Sequence, residues 1–379
     1  MSKILVINSG SATLKFKIFE ARTLQEQITG QAERIGLKDS FLIIKKGKRQ
    51  QRFDYSSGLK DHGQTLSQIF SYLKDDLTDI IGVGHRVVHG GTRFSRPTAA
   101  SARNIELAKK YNRLAPLHNP VNLICVEAAR KLLPQAKQVM VFDTAYYANL
   151  PDYAARYPLP EKFYKQGIKK YGFHGISHES AAAIAGKKLN LKGGRIITCH
   201  LGSGSSITAT ADGRAIETSL GFTPVSGIMM STRCGDIDPS IVLYLISELG
   251  MSAAEVDKLL NKQSGLLGVS GFLDMREILA AAGQKVSGFK AKRRFTASEK
   301  VRSRLALKMF IYRIIKYIGS FAAIMGGVDA IVFTGGIGER SPVIRKLVVD
   351  EIKKMLSFRT LVVPANEELK IAQEVKKFI

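Results

Sequence analysis

Apolar and polar positions follow two rhythms along this chain. Leu66, Ile69, Phe70 and Leu73 sit at i, i+3, i+4 and i+7, and Leu307, Phe310, Ile311, Ile314, Ile318 and Phe321 continue a single stripe. Both segments therefore read as amphipathic helices whose apolar faces belong to a core. Between such segments lie short apolar runs of strand length, among them "KILVIN", "VMVFD" and "AIVFT". Strands alternating with helices predict an α/β protein. No low-complexity linker marks a domain boundary, so the boundary has to come from architecture.

The pattern repeats itself once. "KILVINSGSATLKFKIFE" and "RIITCHLGSGSSITATAD" share a plan of apolar strand, tight Gly/Ser turn and second strand, with the turns at Gly10 and Gly202 about half a chain apart. Read singly, each is an ordinary β-hairpin. Read together, they suggest a duplicated unit and two related domains facing one cleft, each offering a turn with exposed backbone N–H groups. Glycine permits the close approach that such a turn needs around a phosphate. A third loop, "AIVFTGGIGERSPVIRKLVVDEI", runs from an apolar strand through Gly335, Gly336 and Gly338 into a helix with Pro342 in its first turn. It lacks the GxxxxGK[ST] spacing of a Walker loop and matches GxGxxG poorly.

Composition narrows the picture. The 379 residues suffice for two or three domains, and 45% are hydrophobic. No uncharged apolar run reaches membrane-spanning length; the nearest, Ile318 to Phe333, is broken by glycines and Asp329. "KILVIN" begins without a basic-then-apolar targeting segment, and Cys125, Cys199 and Cys234 are too widely spaced for a disulfide framework or a CxxC metal site. These features predict a reducing, cytoplasmic setting without membrane association.

Lysine and arginine outnumber aspartate and glutamate 57 to 32, a formal charge of +25. The positive residues are dispersed apart from one denser stretch, "FKAKRRFTASEKVRSR" at 289–304, and no aromatic-rich RNA-binding motif or zinc-finger spacing accompanies them. A solvated basic face, with an anionic small substrate, fits better than a specific nucleic-acid partner. Six of the seven histidines fall in short clusters: "VGHRVVHGG" (His85, His89, read as lying on a strand), "APLHNP" (His118), "YGFHGISH" (His174, His178) and "TCHLGSG" (His200). None has metalloprotease-type spacing, so hydrogen bonding from loops around a ligand is the better reading than zinc ligation.

Ten blocks in one order, "VINSGSATLKF", "GHRVVHGG", "APLHNPVNL", "VFDTAYY", "YGFHGISH", "HLGSGSS", "ETSLGFTPVSGIMMSTRCGDIDP", "NKQSGLLGVSG", "FTGGIGERSP" and "PANEELKIA", resemble the acetate kinase family of acyl-phosphate-forming kinases over essentially the whole chain. The resemblance implies an α/β, duplicated actin-like and sugar-kinase-like ATPase fold of the RNase H type. Its two domains would be 1–144 with 369–379, and 145–368, with nucleotide and substrate in the cleft between them. It implies reversible transfer of a phosphoryl group from ATP to acetate, giving acetyl phosphate and ADP, with Mg²⁺ (or Mn²⁺) as cofactor and a homodimer as the assembly.

By motif, the resemblance carries over Asn8 and Glu367 to the metal site, and Lys15 with Gly10, Ser11 and Thr13 to the first phosphate hairpin. His200, Leu201, Gly202, Ser203 and Gly204 would form the second. Asp274, Met275 and Arg276 would lie along the adenosine, with Gly336, Ile337, Gly338, Glu339 and Arg340. Arg86, Asp143, His174 and Arg233 would surround the transferring phosphoryl group, and Val88, Leu117, Phe173 and Pro224 would enclose the acyl methyl.

The chemistry explains why such residues are needed. In-line transfer between two anions spreads negative charge over the equatorial oxygens, so catalysis is positioning plus cations and donors. A carboxylate nucleophile is already ionised near neutral pH, so Asp143 has no proton to remove and is read as an organiser of Mg²⁺-bound waters or of an arginine.

Several positions depart from the family pattern: Ser203 and Arg340 where asparagine is usual, and Ala12 and Thr13 in place of serines. "SGFLDMR" is about one residue short, and "MLSFRTLVVP" omits roughly a hairpin's length before "ANEEL". Propionate kinase and a non-catalytic nucleotide-binding member of the same fold are the alternative readings.

Overall fold

The computed structural model describes residues 1–191 and 193–379. The chain divides into two compact units, Met1–Ala148 with Asn366–Ile379, and Asn149–Ala365. The boundaries differ by a few residues from those expected at 144 and 368, and the difference places Glu367 in the first unit.

In the first unit, strands β1 (Lys3–Ser9), β2 (Thr13–Glu20), β3 (Glu26–Glu33), β4 (Ser40–Lys46), β5 (Arg49–Tyr55), β6 (Ile80–Val87), β7 (Thr98–Ala99) and β8 (Lys137–Phe142) form one sheet in the order β5-β4-β3-β2-β1-β6-β8-β7. β1 through β5 make an antiparallel meander, whereas β1, β6 and β8 run parallel. The predicted stripe Leu66, Ile69 and Phe70 lies on the helix His62–Tyr72 and packs with Leu5, Ile7 and Phe16 on one face of this sheet. Asp61 starts that helix by accepting the Gln64 N–H.

The opposite face carries the C-terminal helix Glu367–Val375. Its close seat depends on two glycines of β6: a Cβ on Gly84 would stand 2.5 Å from Ile371 and one on Gly82 would stand 2.6 Å from Val375. Glycine at both positions lets the helix rest on bare backbone. β6 stops at Val87, so His85 is a strand residue and His89 lies just beyond the end.

In the second unit, β9 (Arg195–Leu201), β10 (Ser205–Ala211), β11 (Arg214–Thr218), β12 (Ala330–Thr334) and β13 (Arg359–Val362) are ordered β11-β10-β9-β12-β13. β9 and β10 form the second Gly/Ser hairpin, and β12 lies parallel beside β9. The long helix Ala297–Met325 buries Leu307, Phe310, Ile311, Ile314, Ile318 and Phe321 against Ile197, Ile207 and Phe333. Thr296 and Glu299 close a capping box at its start, and Gly326 in the left-handed region ends it. After β12, Gly335–Arg340 forms a short helical turn, and Pro342 opens the next helix, Pro342–Ile352.

Candidate active site

The parallel strands of the first unit bring Asn8, Arg86 and Asp143 together at their carboxyl ends, the edge where open α/β sheets bind ligands. Arg86 Nε donates to both Asp143 oxygens at 3.1 Å, and Nη2 donates to Oδ2 at 2.6 Å. Its Nη1 donates to Asn8 Oδ1 at 3.2 Å and lies 3.4 Å from Glu367 Oε2. Asn8 turns its amide the other way, donating to Glu367 Oε2 at 3.3 Å and Glu368 Oε1 at 2.8 Å.

Burial opposes charge on Arg86, but the carboxylates of Asp143, Glu367 and Glu368 outweigh it and raise its pKa. Burial pushes Asp143 upward, and the guanidinium beside it counters that push. Three carboxylates thus share one guanidinium, an acidic excess made of hard oxygen donors. Mg²⁺ is commonly held by one or two carboxylates and water together with substrate phosphates, so this donor set fits it. Among the described residues no group of three or more His, Cys, Asp or Glu side chains is placed to hold a metal ion by itself, so water and phosphate would complete the shell.

The first hairpin turn closes with Gly10 N–H donating to Thr13 O at 2.8 Å. Ser11 and Lys15 are exposed beside it. Asn122 anchors the turn: its amide donates to Ser9 O at 2.7 Å, and its Oδ1 accepts the Val88 N–H at 3.1 Å. The motif "APLHNPVNL" was legible in the sequence, but this clamp was not. Glu368 was missed as well, because only the helix packing on Gly82 and Gly84 brings it to Asn8.

In the second unit, His200, Leu201, Gly202, Ser203 and Gly204 form the end of β9 and the turn into β10. Gly335 has φ of +76°, and a Cβ there would stand 2.8 Å from the Leu201 carbonyl oxygen. Only glycine lets the two loops come this close. A Cβ on Gly202 would in turn lie 3.9 Å from the Gly336 nitrogen.

On the other side of the hairpin, a Cβ on Gly204 would be 3.3 Å from His174 Nε2 and 3.7 Å from Arg233 Nη1. His174 and Arg233 therefore flank the turn. Arg233 Nη1 donates to Pro224 O at 3.1 Å and contacts Met230 Sδ at 3.5 Å. Burial lowers its pKa, and no carboxylate among the described residues pairs with it. A partly buried guanidinium held only by neutral groups is poised for an anion. His174 has φ of +57° at the start of the helix Gly175–Lys188 and stacks on His200 at 4.6 Å.

A cavity of about 630 Å³ adjoins the same loops. Gly202, Ser203, Gly336, Ile337 and Arg340 line one side, and Asp274, Met275 and Arg276 another. Asp274 caps its helix by accepting the Arg276 N–H at 2.8 Å and pairs with Arg276 Nη2 at 2.6 Å. The sequence reading did not anticipate the segment Lys285–Gly288, which also walls the cavity.

Gly338 and Leu201 are buried behind these loops, and Glu339 ties down the Ala365 N–H at 2.8 Å. Of the residues expected around the acyl methyl, Val88 and Leu117 belong to the first unit and Phe173 and Pro224 to the second. Val88 and Phe173 are buried, whereas Leu117 is 53% exposed.

Paired strand-turn-strand units in two α/β units, one with an acid-rich arginine cluster and the other with glycine loops around an unpaired guanidinium, define a phosphoryl-transfer enzyme of the actin-like ATPase fold. The acetokinase family model matches residues 3–360. The acetate kinase of Clostridium novyi (strain NT) is 41% identical, with 100% of this chain and 98% of that protein covered. That of Sulfurovum sp. (strain NBC37-1) is 41% identical, with 100% and 99% covered.

Among solved structures, a propionate kinase from Francisella tularensis subsp. tularensis SCHU S4 superposes with a TM-score of 0.91 at 37% identity, covering 100% of both chains. Porphyromonas gingivalis acetate kinase superposes with a TM-score of 0.88 at 38% identity, covering 100% of this chain and 99% of that one. The chain belongs to the acetokinase family. It is a phosphotransferase with a carboxyl group as acceptor.

Proposed function

We propose that this chain transfers a phosphoryl group reversibly between ATP and acetate, with acetyl phosphate and ADP as products, and that the residues above divide the work as follows. The observation that carries the assignment is Arg233, a guanidinium without a carboxylate partner, set beside His174 at the glycine turn. Arg233 and His174 supply positive charge and hydrogen bonds to equatorial phosphoryl oxygens. Backbone N–H groups of Ser203, Gly204 and Gly336 receive the nucleotide phosphates, while the Gly202 N–H braces the turn on Ser205 Oγ at 3.1 Å, and the 630 Å³ cavity receives the nucleoside.

Arg86, held flat by the two-oxygen grip of Asp143 and with Nη1 on Asn8 and Glu367, meets acetate or the phosphoryl group with its remaining Nη2 N–H. Asp143 thus acts as the arginine's organiser and removes no proton, since the attacking carboxylate arrives ionised. Glu367, Asn8 and Glu368 would hold Mg²⁺, which when bound neutralises charge on the phosphates. Lys15 and the first hairpin add donors, and Val88, Leu117, Phe173 and Pro224 bound the acyl methyl. Propionate is the second acceptor to consider, given the Francisella relative. A purely nucleotide-binding role would not require Arg86, Asp143, His174 and Arg233 all to be present.

Arg86→Ala and Arg233→Ala should each lower kcat by at least about 100-fold, the loss typical of one preorganised donor at developing charge. Near wild-type turnover in either folded variant contradicts the assignment.

The assembly is a homodimer in this reading. The helix Pro239–Ser247 has no buried residue and exposes Leu243 at 66% and Tyr244 at 56%. An apolar helix left in water is costly, and a second copy of the same face covers it by two-fold symmetry. Leu243→Glu should convert the dimer to a monomer in sedimentation velocity; an unchanged dimer would place the interface elsewhere.

A further inference from the structure

We propose that Ser206 and His178 are positioning residues that hold His174 as its Nδ1–H tautomer, so that His174 meets the phosphoryl group only as an imidazolium. The part played by His174 itself rests on the function proposed above; the tautomer does not.

Ser206 lies on β10 opposite His200 of β9 and is fully buried. Its Oγ is 2.9 Å from His174 Nδ1 and 2.7 Å from His178 Nε2. A hydroxyl has one proton, so it donates to one of these nitrogens and accepts from the other. The tautomers of the two histidines are therefore coupled through a single oxygen.

The far end of the chain sets the direction. His178 Nδ1 is 2.6 Å from Thr198 Oγ1, and that hydroxyl has a carbonyl acceptor, Thr208 O, at 3.4 Å. A carbonyl cannot donate, so the contact is made only when Thr198 gives it the hydroxyl proton and accepts His178 Nδ1–H. His178 Nε2 is then bare and receives the Ser206 proton, and Ser206 Oγ accepts Nδ1–H from His174. The reverse order forfeits the bond to Thr208. Burial holds His178 well below the usual histidine range, with the neighbouring His200 adding to the shift, so His178 carries the single proton that this chain requires.

At the other edge of the His174 ring, Nε2 faces Gly204. In the neutral Nδ1–H form that nitrogen is a lone pair, which an incoming phosphoryl oxygen repels. A proton taken from solvent converts it into a donor and adds a charge. The groups facing the ring are His200, stacked from β9, Arg233, across the glycine turn, and His178, on the same helix. Of these Arg233 carries the charge, and it disfavours an imidazolium until an anion arrives between them, so protonation and phosphoryl binding go together.

The test is a long-range ¹H–¹⁵N spectrum of the ¹⁵N-histidine-labelled protein at pH 8.5. His174 is assigned by the signal lost in His174→Asn, because asparagine tolerates positive φ. The expected pattern for neutral His174 is protonated Nδ1 and bare Nε2, and protonated Nε2 in the wild type overturns the proposal. In Ser206→Ala the ring should admit the Nε2–H form. Its kcat/KM should fall by up to about 100-fold at pH 7, the scale of a misplaced catalytic group, while the alkaline decline expected of the wild type flattens. An alkaline limb identical to wild type in folded Ser206→Ala also overturns it. The wild-type spectrum needs neither turnover nor a variant that folds well, so it separates this proposal from the phosphoryl-transfer reading.

Discussion

His85 shows how one residue can be legible as a histidine cluster and illegible as chemistry. It is fully enclosed, with Nε2 donating to Gln138 Oε1 at 2.9 Å and Nδ1 without a partner. Gln138 is fixed in that orientation because its own amide donates to Leu133 O at 3.1 Å. Burial pushes His85 down to about 4. Between that value and the ordinary 6.5, the unfolded chain binds the extra proton and the folded one does not. The neutral form's contribution is therefore complete above pH 6.5 and is lost as pH falls toward 4, by about 3 kcal/mol in all. His89, also lowered to about 4 by burial, adds in the same direction. Melting temperature should fall between pH 6.5 and 5, and less steeply in His85→Gln; equal slopes would show that His85 is not buried neutral. The arginines proposed for the phosphoryl site, Arg86 and Arg233, stand in motifs that are local in the sequence, whereas Glu368 and Ser206 gain meaning only from partners distant in sequence or on a neighbouring strand.

The elements reproduce the echo read from the sequence: β1–β2 and β9–β10 are both antiparallel hairpins around a Gly/Ser turn. Hairpins are local, and their strand patterns and turn residues lie within twenty positions or so of each other. What no local pattern revealed is the approach of the third loop to the second hairpin, which continues the β9–β12 pairing and is tightest at Gly335. Gly335→Ala combines a positive φ with a Cβ 2.8 Å from the Leu201 carbonyl oxygen. It should cost roughly 2 to 4 kcal/mol and raise the KM for ATP. Gly336→Ala is the matched control, since its Cβ would meet nothing within 4 Å. Thermal unfolding should separate the two variants, and equal melting temperatures would mean that the loops have room to part.

At the scale of the molecule, the chain matches its relatives from end to end, with gaps. Its alignment with the Clostridium novyi protein spans 410 positions against the 379 residues here, so at least 31 positions have no counterpart in this chain. The two hairpins, the arginine cluster and the glycine loops are all present in this chain. Phosphoryl transfer onto acetate by this chain is open to direct assay. The most direct measurement is incubation with ATP, Mg²⁺ and acetate, with hydroxylamine to trap acyl phosphate. Acyl hydroxamate should form in step with ADP, with acetate used in preference to propionate by the small factor that one methylene allows, about 1 to 3 kcal/mol. Nucleotide binding without hydroxamate from any short carboxylate would contradict phosphoryl transfer onto acetate.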